Sequence, residues 1–205
     1  KDFYDKLVGE GIDCFTGVPD SLLKDFCSYL TDHAENHVIT PNEGNAIGLA
    51  AGHYLATKNP ALVYMQNSGQ GNAINPLASL ADPDVYSIPM LLLIGWRGEP
   101  KTKDEPQHVR QGKITLGLLD TLRIHYEVLP DEPEDIERSL ETAIRSAKER
   151  EAPYALIVKK GTFESYTLQR EVESSYTLSR EDAIRAVVDS LKEDDIVVST
   201  TGKTS

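Results

Sequence analysis

Short apolar runs alternate with longer segments of mixed polarity along residues 1–160. The run "MLLLIGW" (90–96) is continuously apolar, which is typical of a strand buried on both faces. Other strands are predicted at residues 12–17, 37–40, 61–66, 123–129 and 154–160, and helices at 19–30, 43–57 and 132–150. This strand–helix alternation predicts an α/β fold, a three-layer, doubly wound parallel sheet covered by helices on both faces.

The pattern changes after residue 160. Residues 161–178 are polar and have no clear period, so we interpret them as a linker. Ser179 and Asp182 have the spacing of a helix cap, and an apolar stripe and a strand at 196–202 follow. We therefore expect one domain over 1–160 and, over 179–205, the start of a second domain whose remainder is absent.

Composition excludes some classes of partner. The formal net charge of −12 argues against nucleic acid as the main ligand. It also means that an anionic ligand needs a local cation. No apolar run is long enough to span a membrane, no signal peptide is evident, and Cys14 and Cys27 form no CxxC pair. These features favour a cytoplasmic protein without disulfides.

The most unusual segment is "PNEGNAIGLAAGHYLA", in which Glu43 precedes a helix that contains three glycines. Each glycine costs a helix about 1 kcal/mol relative to alanine, so close approach to the backbone is a reasonable explanation. Glu43 also follows a predicted strand, and parallel sheets bind ligands at the carboxyl ends of their strands. The zinc-like spacing of His33 and His37 lacks the accompanying glutamate, so we predict no metal ligands in this chain.

Four segments together carry a family resemblance. They are "FTGVPDSLLKDF", "PNEGNAIGLAAGHYLA", "QNSGQGNAINPLASL" and "GWRGEPKTKDEPQHVRQGK". They resemble the pyrimidine-binding half of thiamin-diphosphate-dependent decarboxylases, most closely the phosphonopyruvate decarboxylases, with sulfopyruvate decarboxylases as near relatives. The resemblance implies that Glu43 is catalytic and hydrogen-bonds N1′ of the cofactor's aminopyrimidine. The alternative is that Glu43 is only a favourable residue at a helix start.

The resemblance also implies further site residues. Besides Glu43, those expected to bind the cofactor are Gly17, Pro19, Asn67, Gly69, Gln70 and Gly71. Those expected to bind substrate are Asp20, Ser21, Arg97 and His108. Arg97 suits a phosphonate because its planar fork donates two parallel hydrogen bonds. We expect residues 97–113 to form a loop with mostly solvated charges. Ser21 as a helix cap and His108 packed under the loop remain open alternatives.

The implied cofactors are thiamin diphosphate and Mg²⁺, whose diphosphate and metal ligands lie in the family's second domain. The implied reaction is the decarboxylation of phosphonopyruvate to phosphonoacetaldehyde, and the implied partners are a small anionic 2-oxo acid and further subunits of a homo-oligomer. The isolated chain is then expected to be inactive. Two alternatives stay open: an α-type subunit of sulfopyruvate decarboxylase, and a non-catalytic flavodoxin-like binding module.

Overall fold

The computed structural model describes residues 1–170 and 176–199, which belong to two compact units, 1–170 and 171–205. The strands of the first unit are β1 (Cys14–Gly17), β2 (Asn36–Ile39), β3 (Ala61–Gln66), β4 (Met90–Gly95), β5 (His125–Val128) and β6 (Pro153–Val158). Its helices are α1 (Asp2–Gly9), α2 (Lys24–His33), α3 (Glu43–Thr57), α4 (Gln70–Pro76), α5 (Pro106–Thr121) and α6 (Pro133–Arg150). A 3₁₀ turn (Asn67–Gly69) precedes α4, and a π-helical turn (Leu77–Ala81) follows it.

The six strands form one parallel sheet in the order β2-β1-β3-β4-β6-β5. The predicted fold class is therefore confirmed. The chain moves outward from β1 to β2 and then crosses over to β3 on the other side of β1. That reversal places a crevice at the carboxyl ends of β1 and β3, where open α/β sheets bind ligands.

The core has two layers because alternate side chains of each strand face opposite sides of the sheet. On one side, Leu62 and Tyr64 of β3 pack in the cluster that includes α1, α2 and α6. On the other side, Val63 and Met65 pack in the cluster that includes α3, α4 and α5. Three of the five buried residues of α3 are alanines, namely Ala46, Ala50 and Ala51, and their small side chains let the helix lie close to the sheet.

The loop expected over residues 97–113 is wrong in its second half, because α5 begins at Pro106. Proline is tolerated at this first helical position, where its missing N–H costs nothing. Buried residues Gly112, Thr115 and Leu119 face the core at helical spacing. These buried positions are few, and polar residues fill most of the others in α5. The helical period of its apolar residues was therefore not evident in the sequence. Only residues 96–105 connect β4 to α5 irregularly.

The first unit extends past the strand β6 to Arg170. Phe163 stacks on Phe26 with ring centroids 5.2 Å apart and contacts Phe3 edge-on at 5.3 Å. The Asp32 carboxylate accepts hydrogen bonds from the Tyr166 hydroxyl and from the backbone N–H groups of Gln169 and Arg170. The first ten residues of the predicted linker, which we call the 161–170 segment, are thus packed on α1 and α2.

The second unit contains α7 (Arg180–Asp189). Ser179 caps it as expected, since its hydroxyl accepts from the backbone N–H of Asp182 at 3.1 Å. Residues 196–199 form no strand, and the rest of the predicted strand lies outside the described residues. The apolar stripe of α7 is exposed, with Val187 and Val188 each more than half accessible. No residue of α7 is buried.

The length and the charged residues of the helices show whether any of them could cross a membrane. The longest helix of the first unit, α6, has 18 residues and carries charged side chains along most of its length. Across residues 1–170 and 176–199, no helix combines the length and the apolar character needed to cross a bilayer.

Candidate active site

Glu43 is the first residue of α3, immediately after the loop that leaves β2. The preceding Asn42 caps the helix, its side chain accepting from the backbone N–H of Asn45 at 3.0 Å. The cap fixes where α3 begins, and Glu43 is only 7% exposed. A carboxyl group is seldom buried without a specific partner, so its surroundings are informative.

Two residues that follow β3 surround the Glu43 carboxyl group. The Asn72 side-chain amide donates to Oε2 at 2.8 Å. Gly69 lies directly against Oε1, where a Cβ atom would collide with the carboxyl group. Within the described residues, Oε1 accepts no hydrogen bond. One oxygen is therefore fixed by Asn72, and the other remains available to a hydrogen-bonding group of a ligand. Sequence reasoning missed Asn72, although it lies in the quoted segment "QNSGQGNAINPLASL" and ends the glycine-rich turn at residues 67–72.

Asn67 is fully buried and ties three elements together. Its side-chain N–H groups donate to the carbonyl of Arg97 and to the hydroxyl of Thr115, both at 2.8 Å. Its side-chain oxygen, Oδ1, accepts from the backbone N–H of Arg97 at 3.2 Å, and its backbone carbonyl accepts from the side-chain amide of Gln111 at 2.9 Å. The side chain is occupied by these internal bonds. Its role is to hold the end of β3 to the end of β4 and to α5.

The remaining residues of the turn differ in how they contribute. Gln70 is buried, and its amide donates to the carbonyl of Thr115 at 3.2 Å. Gly71 is exposed, and a Cβ there would meet nothing within 4 Å. Gly17, at the end of β1, lies so close to the backbone of Tyr64 that a Cβ would collide with its carbonyl oxygen. Gly17 is thus explained by packing between β1 and β3.

Asp20 and Ser21 follow β1 and lie at the same edge of the sheet. Asp20 is 4% exposed, and its two oxygens accept from the side chain of Gln66 at 2.7 Å and from the backbone N–H of Leu22 at 2.9 Å. Gln66 in turn accepts from the hydroxyl of Ser68 at 2.7 Å. Asp20 therefore belongs to a polar network that links the ends of β1 and β3.

Arg97 is not an isolated cation. Its Nε and Nη2 atoms donate to the two oxygens of Asp104, at 2.9 and 2.5 Å, and its Nη1 atom donates to Ser21 at 2.9 Å. The planar fork that we expected to face a phosphonate thus binds an internal carboxylate. Its assignment to substrate stays a prediction, but most of its charge is offset within the chain.

The pKa values of this pair shift in opposite directions. Hydrogen bonds from Arg97, followed by those from the backbone N–H groups of Gly98 and Glu105, hold the pKa of Asp104 well below its usual range. The hydrogen bond to Asp104 raises the pKa of Arg97. Both directions mean that the folded chain favours the ionised forms. The hydrogen bonds of the pair hold the 96–105 connection beside Ser21.

His108 lies in the first turn of α5 and is partly exposed. Its backbone N–H donates to the carbonyl of Glu105 at 2.9 Å.

The crevice brings together the start of α3, the turn after β3, the turn after β1 and Arg97. Among residues 1–170 and 176–199, no three His, Cys, Asp or Glu side chains converge as a metal site.

Comparisons with known proteins define the class of the chain. Residues 1–118 match the family described as thiamine pyrophosphate enzyme, N-terminal TPP binding domain. The chain belongs to this family, whose described ligand is thiamin diphosphate. A solved structure from Mycobacterium smegmatis, assigned provisionally as a thiamin diphosphate-dependent enzyme, supports the fold. The match has a TM-score of 0.57 and 22% identity, and it covers 91% of this chain and 36% of that one.

Individual relatives of the chain are decarboxylases of two kinds. The chain is 33% identical to a phosphonopyruvate decarboxylase of Streptomyces viridochromogenes, with 97% of this chain and 53% of the relative covered. It is 35% identical to the sulfopyruvate decarboxylase subunit alpha of Methanococcus maripaludis, with 76% of this chain and 90% of that subunit covered. The chain spans about half the length of the phosphonopyruvate decarboxylases that it matches.

Proposed function

We propose that this chain is the pyrimidine-binding part of a thiamin-diphosphate-dependent decarboxylase that acts on a small anionic 2-oxo acid. The observation that carries the proposal is the buried Glu43 carboxyl group, fixed through Oε2 by Asn72 and open at Oε1 beside Gly69. The family match and the names of the relatives support the same conclusion.

The residues of the crevice fit the cofactor's aminopyrimidine. Because Gly69 has no side chain, the Glu43 carboxyl group fits against its backbone, and Oε1 is left without a hydrogen-bond partner among the described residues. Oε1 of Glu43 would share a proton with a ring nitrogen, while Asn72 keeps the carboxyl group oriented. When bound, thiamin diphosphate supplies the electron sink that makes carbon dioxide loss possible. The protein's part is to position that group and to hold one proton at Glu43.

Substrate and assembly are the finer parts of the proposal. We favour phosphonopyruvate, because two relatives that match 97% of this chain carry that name. Sulfopyruvate is a second candidate, because the chain covers 90% of the length of a sulfopyruvate decarboxylase α subunit. Diphosphate and Mg²⁺ would be held by a second domain, of which residues 179–205 form the start. The complete site would then require a homo-oligomer or a partner subunit.

The test is Glu43→Gln in a protein that contains this chain together with a complete diphosphate-binding part. Glutamine keeps the size and polarity of the side chain but cannot share the carboxyl proton. We expect decarboxylation to fall by roughly 10²–10⁴-fold, the usual contribution of general acid–base groups. Folding, followed by circular dichroism, should be unchanged.

Glu149→Gln is the matched control, because Glu149 is exposed on α6, outside the crevice. It should decarboxylate at the rate of the wild type. Activity of Glu43→Gln within a few-fold of that control would refute the assignment of Glu43.

A further inference from the structure

A groove of about 400 Å³ runs along α2 beside Asp20 and Ser21. This volume lies within the usual range of small-molecule sites. Besides Asp20 and Ser21, it is lined by Pro19, Lys24, Cys27, Ser28, Thr31, Ile39 and Leu168. The groove therefore joins two of the predicted substrate residues to one face of α2 and to the 161–170 segment.

Lys24 is the one cationic residue among those that line the groove. Its side chain is exposed and forms no ion pair with the acidic groups of residues 1–170 and 176–199. The guanidinium group of Arg97, by contrast, is already hydrogen-bonded to Asp104. With a formal net charge of −12, the chain needs a local cation to hold a multiply charged anion, and Lys24 meets that need better than Arg97.

Hydroxyl groups accompany Lys24 along the groove. Ser28 is four residues after Lys24 and lies on the same face of α2. Ser21 precedes α2 in the chain. Its hydroxyl oxygen accepts a hydrogen bond from Arg97, and its hydroxyl hydrogen remains available to donate. An ammonium group and two hydroxyls suit a tetrahedral oxyanion, which offers several acceptor oxygens.

The rest of the lining sets the orientation of a ligand and limits the chemistry. Asp20 also lines the groove, but its carboxylate has no hydrogen to donate and both its oxygens accept hydrogen bonds within the chain, so an anionic tail would bind at Lys24 rather than at Asp20. Burial and the negative charge of Asp20 raise the pKa of Cys27 to about 12, so its thiol stays protonated and is a poor nucleophile. Leu168 and Ile39 add apolar surface to the lining. The groove is suited to binding rather than to covalent chemistry.

We propose that Lys24, with Ser21 and Ser28, binds the tetrahedral oxyanion at the tail of the 2-oxo acid substrate and thereby determines substrate specificity. This inference rests on the proposed function. Phosphonate and sulfonate share the chemistry that the groove recognises, so both are used in the test. A substrate without an anionic tail, such as pyruvate, would gain nothing from Lys24.

The first experiment is steady-state kinetics of the protein that includes its diphosphate-binding part. Lys24→Met should raise KM for phosphonopyruvate, sulfopyruvate or both by about 10- to 100-fold, the usual scale for one charged hydrogen bond. Its kcat/KM for pyruvate should stay within about threefold, and Lys24→Arg should restore most of the loss. Lys103→Met removes the same charge from the exposed 96–105 connection and should leave all these constants unchanged.

The second experiment does not need turnover. Phosphonoacetate, a stable phosphonate, is titrated into the ¹⁵N-labelled 205-residue chain and into its Lys24→Met variant. The wild type should show saturable shifts at the amides of residues 21–31, and the variant should lose them.

The outcomes of the two experiments separate this inference from the proposed function. Suppose that the wild type decarboxylates a 2-oxo acid. If Lys24→Met then changes the kinetic constants of tailed substrates and of pyruvate equally, or changes neither, the role of Lys24 is refuted and the proposed function stands. If no 2-oxo acid is decarboxylated, the proposed function fails. The titration then decides for Lys24 alone: shifts that depend on Lys24 support an oxyanion site, and their absence in the wild type refutes it.

Discussion

At the scale of single residues, the site depends on a few side chains that are fixed by neighbours distant in sequence. Glu43 was singled out in the sequence because a carboxylate beside three helical glycines is unusual, and the turn at residues 67–72 was singled out by the family resemblance. Asn72 was not, because its importance comes only from its contact with Glu43 in the folded chain. For the same reason the sequence suggested Arg97 as a substrate cation, whereas Asp104, seven residues later, binds it.

Gly69→Ala tests the close packing of the turn against Glu43. The added methyl group would collide with the carboxyl group, and the backbone or Glu43 must move. We expect the variant to lose about 1–3 kcal/mol of unfolding free energy, as is usual for overpacked sites. The measurement is urea denaturation of the 205-residue chain.

Gly48→Ala is the matched control for Gly69→Ala. Gly48 lies on the exposed face of α3, and a Cβ there would meet nothing within 4 Å. Alanine is the better helix former, so this variant should gain about 0.5–1 kcal/mol. If Gly69→Ala is as stable as the wild type, or gains stability as Gly48→Ala does, the contact between Gly69 and Glu43 is not as tight as described.

At the scale of elements, the sequence predicted all six strands of the first unit to within two residues at each end. The buried strands β3, β4 and β6 are short apolar runs, which are typical of parallel strands covered on both faces. Helices α1, α4 and α5 were missed. Glycine, proline and polar residues dilute the apolar period of α4 and α5, and contacts that exist only in the folded chain stabilise α5, among them the hydrogen bonds of Asn67 and Gln70 to Thr115.

Asp104→Asn tests how the 96–105 connection is held to the crevice. Removing the charge should lower the unfolding free energy by about 1–3 kcal/mol at pH 7, because charged hydrogen bonds to Arg97 are weakened. Since folding lowers the pKa of Asp104, the stabilisation is complete above the unfolded pKa of about 4 and is lost as the pH falls below it. The difference between wild type and variant should thus be constant from pH 5 to 7 and shrink below pH 4.

Denaturant unfolding at several pH values measures this difference. Asp84→Asn serves as the control, because Asp84 pairs with Arg123 in a solvent-exposed setting. Exposed pairs contribute less than about 1 kcal/mol. A gap between wild type and Asp104→Asn that widens toward low pH would contradict the role given to this ion pair.

At the scale of the whole molecule, the proposed function requires that groups outside the first unit anchor the cofactor's diphosphate. The compact unit runs to Arg170, since Phe163 and Tyr166 pack on α2. That packing was not visible in the polar sequence of residues 161–170, because it depends on Asp25 and Asp32 of α2 as acceptors. The 161–170 segment also contributes Leu168 to the groove along α2.

The most direct test of the account is product formation by the protein that includes its diphosphate-binding part. Phosphonopyruvate, sulfopyruvate and pyruvate are supplied separately, with and without thiamin diphosphate and Mg²⁺, and carbon dioxide and aldehyde are quantified. We expect equal amounts of carbon dioxide and phosphonoacetaldehyde from phosphonopyruvate, only when the cofactor is present, and the 205-residue chain by itself should form neither. Failure to release carbon dioxide from all three acids in the presence of the cofactor would contradict the proposed function.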